Sequence, residues 1–264
     1  MPLPRAGEGL QPSEATRLQD HAAALTRQGR WGKAVEPLGQ LHAAFPESHV
    51  HMERLAVAYR KLSRFADEAA MWEKFLERAP LPYEACPQIG HAYRDAKMMD
   101  RMFIALERCR TLDPRSPDAV FHLAHAHERH GSSDTANRLY AEGVGRFPEN
   151  TDLSLGLARV MRFQGRGREA GEIAQKVLQG SPDNVDALLV AGLCLRSEGD
   201  LKGAKGLLER GARLSPAYTD FFVALADIAE QQADAAAVVA NCRRVLALDP
   251  GNRAAAGKLE AYSN

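Results

Sequence analysis

The 264-residue chain is poor in aromatic side chains, 6% Phe, Trp and Tyr together, and has few β-branched runs, so a sheet core lacks the residues that favour it. Net charge is absent too. Lys and Arg number 34, as do Asp and Glu, which removes the global field that would draw nucleic acid or an anionic membrane. No stretch reaches the roughly 18 apolar residues needed to span a bilayer, and the start, MPLPRAGEGLQPSE, has no apolar segment of the secretory kind. No membrane insertion is expected, and the location expected is cytoplasmic. The four cysteines, Cys86, Cys109, Cys194 and Cys242, show no C-x-x-C pairing, which fits small buried thiols better than a disulfide framework or a zinc knuckle. Also missing are a nucleophile elbow, an H-E-x-x-H helix and a Gly-rich loop after a strand; GRGRE at 165–169 follows no strand. The expectation is a protein that is no enzyme, with no catalytic residues, no cofactor and no metal.

What is present is a period. Pro46, Pro80, Pro114, Pro148, Pro182, Pro216 and Pro250 recur every 34 residues, and they are half of the 14 prolines. Counting from Ala15 as first place, the eighth place holds Ala22, Ala56, Gly90, Ala124, Ala158, Gly192 and Ala226. A place restricted to Gly and Ala is where two helices approach closely, because a larger group would hold them apart. The fifteenth place holds Gly29, Gly131, Gly165 and Gly199, with Ser63, Lys97 and Ala233 in the other copies, and Gly there suits the left-handed end of a helix. Each segment therefore reads as helix, turn, helix, then a Pro that forbids continuation.

Apolar places form one stripe on each helix, as in Val120, Leu123 and His127 against Ala136, Tyr140 and Val144, or Leu188, Ala191 and Leu195 against Ala204 and Leu208. One hairpin cannot bury such a stripe, so neighbours must stack. The expected fold is all-α: a right-handed α-solenoid of seven helix-turn-helix repeats (15–48, 49–82, 83–116, 117–150, 151–184, 185–218 and 219–252) with a short C-terminal capping helix over 253–264. Residues 1–14 are expected to be disordered. Glu68, Met102 and Val238 stand where other copies have Ala at the start of the second helix.

The third repeat reads Cys86-x2-Ile89-Gly90-x2-Tyr93 and ends at Pro114; the fourth has Ala136-x3-Tyr140 and ends at Pro148. With its 34-residue unit, the pattern resembles the tetratricopeptide repeat family over residues 15–252. The resemblance implies partner binding on a concave groove built by the first helices. Carried over place by place, it names His91 and His125 at the ninth place, with Arg159, and Arg94, Glu128, Arg162 and Arg196 at the twelfth. Phe121, Leu155 and Leu189 at the fifth form an apolar column that serves either the groove or sideways packing. The groove places hold no Asn, so a carboxylate clamp of the Lys and Asn kind is not implied.

The histidines of FHLAHAHERHG divide by helical phase. At about 100° per residue His122 and His125 share one side, while His127 and His130 share another. His127 holds a core place occupied by Tyr59, Tyr93, Met161 and Leu195 elsewhere, and His130 precedes the turn glycine, where a cation suits the helix end. The acidic second places, Glu84, Asp118, Asp152, Asp186 and Asp220, similarly suit helix N-termini.

The function expected is therefore a non-enzymatic scaffold binding a peptide or helix of a partner protein that presents apolar and acidic groups. The alternative is the N-terminal targeting or regulatory module of an enzyme such as a transferase. Open solenoid ends also leave self-association available.

Overall fold

The computed structural model describes residues 10–78 and 85–263, and among these every regular element is a helix. In chain order they are α1 (Pro12–Arg27), α2 (Trp31–Ala44), α3 (His49–Lys61), α4 (Phe65–Arg78), α5 (Cys86–Asp95), α6 (Met99–Leu112), α7 (Pro117–Arg129) and α8 (Ser133–Arg146). There follow α9 (Thr151–Phe163), α10 (Gly167–Gly180), α11 (Val185–Glu198), α12 (Leu201–Leu214), α13 (Thr219–Gln231), α14 (Ala235–Leu248) and α15 (Arg253–Tyr262). Pro80, Glu84 and residues 1–9 lie outside the described residues. Pro12 to Glu14, expected to belong to a disordered segment, form the first turn of α1. Proline suits that place because its φ is already helical and the N–H it lacks would have had no partner.

The chain divides into two compact units, residues 1–126 and 127–264, with the boundary inside α7. In the first unit α1 to α5 each pack on the next helix. In the second, α8 to α15 do the same, and the odd-numbered helices α9, α11 and α13 also meet one another in succession. The eighth-place residues are the reason such closeness is possible: Ala22, Ala56, Ala124, Ala158 and Ala226 are all buried, and a Cβ on Gly192 would lie 2.7 Å from Cγ of Leu208. Asn150, Asn184 and Asn252 cap α9, α11 and α15, each side-chain oxygen accepting the N–H three residues on.

All seven fifteenth-place residues have positive φ, from 56° at Ser63 and Ala233 to 88° at Gly199. Turn geometry thus overrides residue preference at Ser63, Lys97 and Ala233. A side chain in the left-handed region costs about 1–2 kcal/mol, partly offset by the entropy glycine loses on folding, so Ala233→Gly is expected to gain about 0.5–1 kcal/mol. Chemical denaturation of the variant beside wild type checks this; a loss of stability would mean the turn is not strained.

The cysteine expectation needs correction. Cys86 on α5 and Cys109 on α6 form a disulfide, with 6.0 Å between Cα atoms, while Cys194 and Cys242 remain free and buried. The bridge was not legible from spacing because the two residues are 23 apart in sequence and are opposed only once the hairpin closes. Burial pushes the Cys194 thiol up to about 11, so that cysteine is poorly nucleophilic.

Candidate functional site

In the first unit His91 and Arg94 lie exposed on α5. Arg94 Nε and Nη2 donate to Asp95 Oδ1 at 3.1 and 3.0 Å, and Asp95 also accepts from Arg60 Nη1 of α3 at 3.5 Å. Arg60 Nε in turn donates to Glu68 Oε1 at 2.7 Å, an oxygen shared with Trp72 Nε1 at 3.3 Å. Glu68 is 1% exposed, and burial raises its carboxyl above the usual range while Arg60 opposes that shift. The departure from Ala at this place is thus one half of an ion pair whose other half sits in the twelfth-place row. The sequence marked Glu68 as a departure without connecting it to Arg60, since the contact spans two helices.

Phe121 stacks on His125 with centroids 5.7 Å apart and meets His122 edge-on at 5.5 Å. His122 is held below its ordinary value, first by desolvation, with His91 and His125 adding to the effect and Asp118 opposing it. Among the described residues no three His, Cys, Asp or Glu side chains are grouped so as to hold a metal ion.

The expected apolar column divides. Phe121 is half-buried, whereas Leu155 is 1% exposed and packs with Ala187, Val190 and Ala191, and Leu189 packs with Phe221, Ala224 and Leu225. Leu155 and Leu189 therefore serve the sideways packing of first helix on first helix. The arginine row divides as well. Arg159 Nε and Nη2 each donate to Glu128 at 3.1 Å, and Glu128 Oε2 accepts from the buried Tyr140 hydroxyl at 2.8 Å. Arg196 Nη1 donates to Asp227 at 2.6 Å, and the same carboxylate takes Lys258 of α15 at 2.7 Å. Arg162 differs. Its guanidinium carbon lies 4.3 Å over the ring of Phe163, and its Nε is buried without a hydrogen-bond partner.

A cleft of about 460 Å³ opens between α1 and α3 in the first unit. Val50 and Val57, each 39% exposed, and Ala23 form its apolar walls, Trp31 and Leu38 of α2 close it behind, and Arg27 and Arg54 stand at its edge. Sequence reading passed over it because the fifth place here holds Gln19 and Glu53. The apolar residues stand at the second and ninth places instead.

Residues 121–185 match the model of the tetratricopeptide repeat family. With repeated helix pairs already evident, that decides the class. The matched segment is tetratricopeptide repeat, and the rest of the described chain shares its fold. No curated protein matches its sequence. Among solved structures, a tetratricopeptide repeat protein from Parabacteroides merdae is 12% identical, with a TM-score of 0.75 over 95% of this chain and 99% of that one. Cut9–Hcn1, a hetero-tetramer of the APC/C, is 17% identical with a TM-score of 0.69 over 92% of this chain. The match covers 48% of that chain, so the protein spans about half its length. PilF of Pseudomonas aeruginosa is 13% identical, with a TM-score of 0.61 over 81% of this chain and 96% of that one. At such identities the likeness establishes the fold. Tetratricopeptide repeats are protein-interaction scaffolds as a class, and no described helix of this one is long and apolar enough to cross a membrane.

Proposed function

We propose that this tetratricopeptide repeat protein is a non-enzymatic scaffold that holds a peptide or helix of a partner protein on the groove side of its first helices. The observation that carries the reading is the α1–α3 cleft: apolar walls left open to water on two adjacent first helices, with guanidinium groups at the edge. An exposed apolar concavity with a few polar groups around it is a binding site by default, since folding alone gains nothing from leaving Val50 and Val57 in water. The helical partner mode fits, because an amphipathic helix presents apolar anchors spaced to enter such a groove. Arg27 and Arg54 favour acidic groups beside those anchors.

The test is affinity capture from native lysate with wild type and Val57→Glu, followed by quantitative mass spectrometry. A buried anchor contact is worth about 1–3 kcal/mol, so the variant is expected to lose a specific partner by about tenfold or more while keeping its helical circular dichroism. Equal recovery of every bound protein from both baits would remove the cleft from the binding site.

A further inference from the structure

The geometry points to the end of α9, Arg162 with Phe163, as an anchor for a partner segment that carries a carboxylate next to an apolar side chain. This inference rests on the scaffold reading and gives that reading a second contact point and a partner chemistry. Phe163 is 71% exposed, although an aromatic ring has more to gain from burial than almost any other side chain. The Arg162 guanidinium lies on the ring at 4.3 Å. A guanidinium over a ring face is attracted by the ring and still carries N–H donors around its perimeter, and a carboxylate is the acceptor that matches them best.

The surrounding charges say what is missing. Arg159 is matched by Glu128, Arg196 by Asp227 and Arg166 by Glu169, each through hydrogen bonds of 3.1 Å or less. Among the described residues Arg162 has no carboxylate partner of that kind. Its charged form is disfavoured first by desolvation and then by Arg196, with only the weakly acidic Cys194 working the other way. Nε is already out of water with no acceptor, so part of the desolvation that an arriving anion would impose has occurred in the folded protein. A purely structural arginine would be paired as its three neighbours are. An exposed aromatic beside an uncompensated guanidinium is the composition of an interface hot spot.

The experiment uses an array of short peptides in which Asp or Glu stands one to four positions from Leu or Phe, each beside its Asn or Gln counterpart, probed with the labelled full chain at neutral pH. Expected binders come from the carboxylate set, with the amide counterparts about tenfold weaker. Arg162→Gln lowers the carboxylate set to the level of the amides, Phe163→Ala weakens both sets, and Arg162→Lys restores only part of the preference because an ammonium neither stacks nor binds in plane. Circular dichroism and melting temperature of each variant stay at wild-type values. Carboxylate binding unchanged in Arg162→Gln, absence of any carboxylate preference, or no bound peptide would overturn the anchor. Val57→Glu separates the two readings: peptide binding lost there and kept in Arg162→Gln leaves the scaffold standing and removes the anchor.

Discussion

Replacing Gly211 with alanine is expected to destabilise the second unit by about 2 kcal/mol, although alanine is the better helix former by about 1 kcal/mol. A Cβ built on Gly211 of α12 would stand 2.1 Å from Cε1 of Phe221 and 2.3 Å from its Cζ. Phe221 is fully buried at the start of α13, in a close-packed interior where a ring turns only at a cost. Either the ring leaves its rotamer or one of the two helices moves. Gly156 stands in the same relation to Tyr140, with 2.3 Å to Cε1, and Gly156→Ala should behave alike. Urea unfolding gives the magnitude, and native-state hydrogen exchange should show the loss concentrated in α12 and α13, because a stacked repeat touches only its neighbours. The paired change Gly211→Ala with Phe221→Leu should recover most of it. A Gly211→Ala protein as stable as wild type would show that the contact gives way easily.

Arg60→Met should cost a comparable amount, about 2–3 kcal/mol, by leaving Glu68 buried with no cation beside it. The figure stands below the roughly 3–5 kcal/mol of a fully buried pair because the Arg60 side chain is 37% exposed and Trp72 still donates to the carboxylate. The dependence on pH has a definite sign. Glu68 has a folded-state pKa above its unfolded one, so the folded form prefers the protonated acid, and stability is lost as pH rises from the unfolded value through the folded one. Without Arg60 the folded value rises further. The deficit of Arg60→Met relative to wild type should therefore shrink on acidification toward the range where Glu68 is protonated in both states. Adding Glu68→Leu, an apolar residue where most other repeats carry Ala, should return most of the stability at neutral pH. A deficit equal at acidic and neutral pH would place the cost in lost packing of the arginine stem.

How much of this was legible beforehand follows from how far each signal reaches along the chain. The helical hairpins announce themselves locally: a Pro that stops one helix, a fifteenth place that turns the chain, and a Gly or Ala where the helices cross. Their spacing repeats without insertion, so even Ser63, Lys97 and Ala233, poor residues for the turn, adopt the positive φ of their glycine counterparts. The site residues are another matter. Arg159, Arg162 and Arg196 look alike as members of cationic columns, and nothing adjacent in sequence says that Glu128 and Asp227, each 31 residues away, occupy two of them. Phe121, Leu155 and Leu189 share one place, yet Leu155 and Leu189 are buried by the neighbouring first helices.

The amino-acid sequence by itself determined the helices, their pairing into hairpins and the small-residue crossings, because those depend on backbone preference and on contacts within one 34-residue period. Tertiary structure decided which charges are neutralised inside the protein, which cysteines are joined, and where apolar surface stays open. Those outcomes depend on side chains from different helices arriving at one point, and only the packed geometry brings Cys86 to Cys109, Arg60 to Glu68, and Val50 and Val57 to the walls of a cleft.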